Sequence, residues 1–183
     1  MGQQFTLSNL TRVTMNKLLF ISLIAFLAVP AVSQEDEQTT LTKVGQAVPN
    51  FTVTTIDGTT LRMSELKGRV VLIDFFATWC GPCMDEMPKI ESEIWQGLRD
   101  NRLVVLAIGR KHTSEELNKF NDEKGFTFFI GPDPTGEIFS LFATESIPRN
   151  YVIDANGNIA YQGLGYSPGS FTHLVAAISS QLK

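Results

Sequence analysis

The chain has only two cysteines, and they stand three residues apart in Trp79-Cys80-Gly81-Pro82-Cys83. Few chemistries use that spacing. A purely stabilising disulfide across so small a loop contributes only about 2 kcal/mol before strain is subtracted, and a chain with one available crosslink gains more by closing a long loop. A zinc site fails on ligand count. Besides this pair there are only His112 and His173, with no second C-x-x-C and no H-x-x-H to complete a tetrahedral set. Two cysteines also exclude a multi-bridge framework. Reversible dithiol–disulfide exchange remains, with the Cys80–Cys83 pair itself as the redox centre and with neither cofactor nor metal.

The surroundings of the pair suit that chemistry. Cys80 falls between an apolar β-branched run, Val70–Phe76, and a helix expected over Pro82–Asp100. The first N–H groups of a helix lack partners, and their partial positive charge favours a thiolate at the junction. Lowering a thiol pKa from about 8.5 to about 7 raises the thiolate fraction at neutral pH from a few per cent to about half, a shift of about 2 kcal/mol. Pro82 suits the first helical turn, where a missing N–H is no loss. Cys80 is therefore the expected nucleophile. Cys83, one turn on and more buried, is the expected resolving thiol.

The elements that must hold this pair alternate along the chain. Phe51–Thr55, Asp57-Gly58 and Thr60–Arg62 read as a β-hairpin on a D-G turn, and Ser64–Gly68 as one helical turn capped by Ser64. Val70–Phe76 reads as a strand covered on both faces. The helix after it carries Met84, Met87, Ile90, Ile94, Trp95 and Leu98, mostly at three- and four-residue spacing. A second buried strand follows at Leu103–Ile108, then a helix opened by the capping box Thr113-Ser114-Glu115-Glu116 and ended by Gly125. Phe126–Ile130 reads as strand or extended chain, and Pro134–Phe142 as a short helix or turn. A second hairpin turns at Asn156-Gly157, and Ser167-Pro168 caps a final helix with Phe171, Leu174, Val175 and Ile178 apolar. Helices between strands, closed by an antiparallel hairpin and a helix, imply an α/β sandwich around a mixed sheet.

At 183 residues, with net charge −4 and 10% aromatics, the chain suits one folded domain and offers no basic surplus for nucleic acid. Lys17 precedes the uncharged run Leu18–Val29, which Pro30 breaks before the small residues Ala31-Val32-Ser33. Basic n-region, apolar h-region and cleavage site in that order read as a signal peptide over 1–33. The run is shorter than the ~20 residues that span a bilayer, and an uncleaved anchor is the alternative. Met15 reads as a better start than Met1, which would leave 1–14 untranslated. The polar, acidic stretch 34–43 reads as a flexible leader, and 44–183 as the domain.

Phe75-Phe76-Ala77-Thr78-Trp79-Cys80-Gly81-Pro82-Cys83 resembles the active-site motif of the thioredoxins. From about Val44 to Lys183 the chain is similar to exported thioredoxin-like oxidoreductases of the TlpA/ResA type. The resemblance implies a thioredoxin fold: a central mixed β-sheet flanked by helices, with an N-terminal β-hairpin extension and a central insertion over Leu103–Pro134. It also implies roles for particular residues. Asp74, inside the strand, matches the buried acid that helps deprotonate the resolving thiol, and Glu86 matches an acid used in the exported branch. Carrying both departs from relatives with a non-acidic strand position; Asp74 is preferred as the main proton acceptor. Pro148 matches a cis-proline facing the dithiol, so Ile147, Pro148, Trp79, Gly81 and Pro82 become the expected substrate-binding surface. Pro88 matches a kink in the helix.

Gly81-Pro82 is the thioredoxin-like dipeptide, and thioredoxin sits at about −270 mV against about −120 mV for strong oxidants of the same fold. The expected activity is therefore reduction of protein disulfides outside the cytoplasm, with apocytochrome c among the substrates and a membrane electron donor restoring the dithiol. Two rivals stand beside it. Thiol peroxidases place Pro and Thr/Ser ahead of the reactive cysteine as P-x-x-x-[T/S]-x-x-C, and here those slots hold Ile73 and Ala77. Copper-binding assembly factors use a wider cysteine spacing with a histidine, for which His112 is placed on a loop. Otherwise His112 and His173 read as solvated.

Overall fold

A computed structural model describes residues 38–183. The expected signal segment and the first part of the leader lie outside the described residues. The core of the fold is a five-stranded sheet in the order β5-β4-β3-β6-β7. Its strands are β3 (Val70–Phe76), β4 (Leu103–Arg110), β5 (Phe129–Asp133), β6 (Arg149–Ile153) and β7 (Ile159–Leu164), while β1 (Thr52–Thr54) and β2 (Thr60–Arg62) form a separate hairpin. Parallel pairing joins β3 to β4 and β4 to β5; antiparallel pairing joins β3 to β6 and β6 to β7. The segment Leu103–Pro134 thus supplies β4, the helix α2 (Ser114–Lys124) and β5, and builds one wing of the main sheet.

All of β3 is buried, as an unbroken run of apolar and β-branched residues requires in a strand covered on both sides. Alternation sorts its side chains. Val70, Leu72 and Phe76 pack with Cys83, Met87 and Ile90 of the helix after the cysteines and with Phe171, Leu174 and Ile178 of the last helix. Val71, Ile73 and Phe75 pack on the other face with Phe51 and Val53 of the hairpin and with Phe139 and Phe142. Asp74 keeps the parity of Leu72 and Phe76, so it lies under the cysteine helix. The hairpin sits so close to the sheet that a Cβ on Gly131 would come 2.6 Å from Val53 Cγ2.

The helix α1 (Gly81–Lys89) carries Pro88 inside it and runs on through a π-helical segment, Ile90–Trp95, to a last turn at Gln96–Leu98. The sequence pattern extends this helix to Asp100, but Arg99 turns left-handed at φ 45° and ends it. The π segment follows from local chemistry: Pro88 cannot donate to the ladder, and the Ser92 hydroxyl takes up the Pro88 carbonyl at 2.9 Å. The capping box of α2 forms as expected, with Thr113 and Glu116 bonded reciprocally and Gly125 at φ 73° beyond its end. The helix α3 (Glu137–Ser140) is one short turn, and α4 (Pro168–Gln181) is capped by Ser167.

Three local expectations change. The turn after β2 is a 3-10 turn at Met63–Glu65 that Ser64 does not cap, because Ser64 lies inside it. The strand expected at Phe126–Ile130 runs from Phe129 to Asp133, since Phe126 and Phe128 turn into the core beside Phe120 instead. Within the stretch read as a leader, Thr39 and Thr42 are buried, and Thr40 forms a β-bridge to Ala143. Backbone pairing and buried hydroxyls hold residues 39–42 on the domain, and a polar composition conceals that. Among the described residues no helix is long and apolar enough to cross a membrane.

Candidate active site

Cys80 and Cys83 are joined as a disulfide at the start of α1. Cys80 is the N-cap, with extended backbone, and its sulfur accepts the Cys83 N–H at 3.3 Å. This is an N-cap in which sulfur takes the place of the usual Ser or Asp oxygen. In the reduced protein the same N–H group and the helix terminus would face a thiolate, and no acidic residue occupies the first turn to oppose it. Cys83 is fully buried, while Cys80 is 5% exposed. The sulfur an incoming disulfide can reach is therefore that of Cys80.

The surface around Cys80 comes from two loops. Trp79 is 74% exposed, the most exposed large apolar side chain among the described residues, and Gly81 and Pro82 beside it are also exposed. Opposite them the Ile147–Pro148 peptide is cis, and the Ile147 carbonyl oxygen lies 3.9 Å from Cys80 Sγ. A backbone carbonyl next to the Cys80 sulfur, with an exposed indole close by in sequence, is suited to an extended peptide.

Under α1 lies a polar cluster. Asp74 and Glu86 are each 1% exposed, and Asn150, paired with Asp74 across β3 and β6, is buried with them. Asn150 Nδ2 donates to Glu86 Oε1 at 2.8 Å. Both Asp74 oxygens, Glu86 Oε2 and Asn150 Oδ1 take no hydrogen bond from the described residues. Burial pushes the Asp74 carboxyl well above the usual carboxylate range, and the neighbouring Glu86 charge pushes it further. Burial also pushes Glu86 up to about 7, against the lowering effect of the Asn150 hydrogen bond. The two carboxyls interact, so their protonation near neutrality belongs to the pair rather than to either residue alone.

Glu86 is not the solvated helix residue its charge suggests. It lies three residues after Cys83 and four before Ile90, on the face α1 turns to the sheet. Sequence reading missed Asn150 altogether. The available signal was its place two residues after Pro148, on a strand antiparallel to the one bearing Asp74. His112, read as solvated, is buried at 7% exposed; its Nε2 accepts the Thr78 N–H at 3.1 Å, and its Nδ1 lies 3.5 Å from Glu116 Oε2. His173 is exposed. No group of three His, Cys, Asp or Glu side chains among the described residues is placed to hold a metal ion.

Residues 44–162 match the model of the AhpC/TSA family. The chain belongs to the AhpC/TSA family. Within it, the thiol–disulfide oxidoreductase ResA of Oceanobacillus iheyensis is 31% identical over 153 residues, covering 79% of each chain. Among solved structures, a candidate protein disulfide isomerase from Bacteroides thetaiotaomicron superposes with a TM-score of 0.75 at 35% identity, over 79% of this chain and 92% of that one. A candidate thiol:disulfide interchange protein DsbE from Chlorobium tepidum gives 0.67 at 25% identity, over 77% and 99%. This AhpC/TSA protein is thus of the TlpA/ResA type, with a thioredoxin fold. The peroxidase slots of its sequence, Ile73 and Ala77, are both fully buried and apolar.

Proposed function

We propose that this protein is an exported thiol–disulfide oxidoreductase that reduces protein disulfides through Cys80 and Cys83. One observation carries the reading: a bonded cysteine pair with one sulfur at a helix N-terminus, the other fully buried, and two buried carboxyls on the strand and helix that hold the pair. In the reduced state the Cys80 thiolate attacks one sulfur of the substrate cystine, and the other substrate sulfur leaves as a thiolate that takes a proton. Cys83 gives its proton to the buried carboxylate of the Asp74–Glu86 pair and attacks Cys80 Sγ. That breaks the mixed disulfide, regenerates the Cys80–Cys83 bond and releases the second substrate thiol. Two electrons have moved to the substrate, and a membrane dithiol donor returns them.

Trp79, Gly81, Pro82, Ile147 and Pro148 form the surface against which the substrate lies. The signal-like segment before residue 34 supports work outside the cytoplasm. Apocytochrome c, whose cysteines must be reduced before haem attachment, is the substrate to try first. The direct test is trapping: Cys83→Ser should accumulate mixed disulfides through Cys80, while Cys80→Ser should not. Equal trapping by the two variants overturns the assignment of nucleophile and resolver. An equilibrium potential above about −150 mV against glutathione overturns the reducing direction.

A further inference from the structure

Arg149 follows Pro148 directly and is among the largest fully enclosed side chains of the protein, at 2% exposed. Nothing in the dithiol cycle uses it. Its guanidinium nevertheless joins two segments that are far apart in sequence. Nε donates to the carbonyls of Glu145 and Ser146, each at 3.0 Å. Nη1 donates to Thr40 Oγ1 at 2.7 Å, and Nη2 donates to Thr39 Oγ1. Taking a cation out of water is unfavourable by several kcal/mol unless its donors are well matched, and a planar fork is the shape that can satisfy two carbonyls and two hydroxyls at once.

The segment it grips is the one that faces Cys80. Ser146 sits at φ 65°, a conformation few residues other than glycine adopt, and Ile147 follows with its carbonyl beside Cys80 Sγ. Two consecutive carbonyls fixed on Nε hold that turn in its unusual shape. The other end of the fork is anchored by backbone pairing: Thr144 N–H donates to the Thr39 carbonyl at 2.9 Å and Leu41 N–H to the Phe142 carbonyl at 2.8 Å. Residues 39–42 therefore lie as a strap, 39–41 along 142–144 just ahead of the loop and Thr42 on Gln162 of β7, with Arg149 riveting strap and loop together.

We propose that Arg149 is a positioning residue for substrate recognition, and that the strap Thr39–Thr42 acts through it to hold loop 145–148 in the shape that receives a polypeptide disulfide. The inference rests on the reading of that loop as the substrate edge. A polypeptide must pair with the loop, whereas a small aromatic disulfide needs only the Cys80 sulfur. Loosening the rivet therefore raises KM for the first and spares the second.

The test compares wild type with Thr39→Val/Thr40→Val, Thr39→Ser/Thr40→Ser and Arg149→Lys, using insulin and 5,5′-dithiobis(2-nitrobenzoate) as substrates. The valine pair, which deletes both hydroxyl acceptors, should raise KM for insulin by about fivefold or more with kcat little changed. The same variant should keep its rate with the small disulfide within about twofold. The serine pair restores the hydroxyls and should restore KM. Lysine keeps the charge but loses the fork, and should resemble the valine pair. Equal losses on both substrates, or a lower thermal midpoint with KM for insulin unchanged, overturn the proposal and leave Arg149 a structural residue. A wild-type protein that reacts with the small disulfide but leaves insulin intact overturns the underlying reading as well.

Discussion

At the scale of single residues, the buried carboxyls make opposite contributions to chemistry and stability. Burial holds Glu86 at about 7 in the folded chain against an ordinary 4.5. Between those values the folded state binds more protons than the unfolded one, so stability is fullest below about 4.5 and falls as pH rises toward 7. Asp74, raised by burial and by Glu86, acts in the same direction. Denaturant unfolding of the oxidised protein should therefore show lower stability at pH 8 than at pH 5. Glu86→Gln should recover on the order of 2 kcal/mol at pH 8 and flatten much of the slope. The same substitution should slow release of substrate from the mixed disulfide near neutrality, measured by single-turnover quenching, because in the proposed cycle it removes one proton acceptor for Cys83. A pH-independent stability in the wild type contradicts both expectations.

Trp79 is the complementary case. With three quarters of its surface in water, Trp79→Ala should change unfolding free energy by less than about 0.5 kcal/mol while weakening binding of protein substrates. An unchanged KM for insulin removes the indole from the substrate surface.

At the scale of elements, α1 is aimed from outside as well as from within. Lys111, left-handed at φ 60°, turns the chain after β4 so that His112 reaches back under Thr78, two residues before Cys80. His112→Ala leaves the Thr78 N–H without its acceptor and should lower stability by about 1–3 kcal/mol, with hydrogen exchange at Thr78 rising more than at the centre of β3. Equal exchange at the two places would mean that His112 braces the domain generally. The hairpin is set by a similar close fit. Gly131→Ala would drive a methyl into Val53 and should lower stability by about 1–3 kcal/mol.

The same elements show what sequence patterns can and cannot carry. The strand at Val70–Phe76, the capping box at Thr113 and both hairpin turns are written in local residue types, and the structure forms them there. The nucleophile junction is equally local, since a strand, a turn and Pro82 fix where the helix begins. The π segment depended on Pro88 and Ser92 acting together, and the ends of β5 on which phenylalanines the core could absorb. Asn150, His112 and Arg149 were illegible for a different reason. Each is polar, and each meets its partner across more than thirty residues or across a strand pair, so no local pattern marks it as buried.

At the scale of the whole molecule, the segment before β1 wraps the far end of the chain. Residues 39–41 pair with 142–144, and Gly45, Gln46 and Val48 exchange backbone hydrogen bonds with Gly157 and Ile159. Synthesis proceeds from the N-terminus, so these residues emerge about a hundred residues ahead of their partners. The nascent chain must wait for β6 and β7 before the domain can close, as is expected where most contacts are non-local. A polypeptide so arranged brings its cis-proline loop against the cysteine pair only once its final stretch has been delivered.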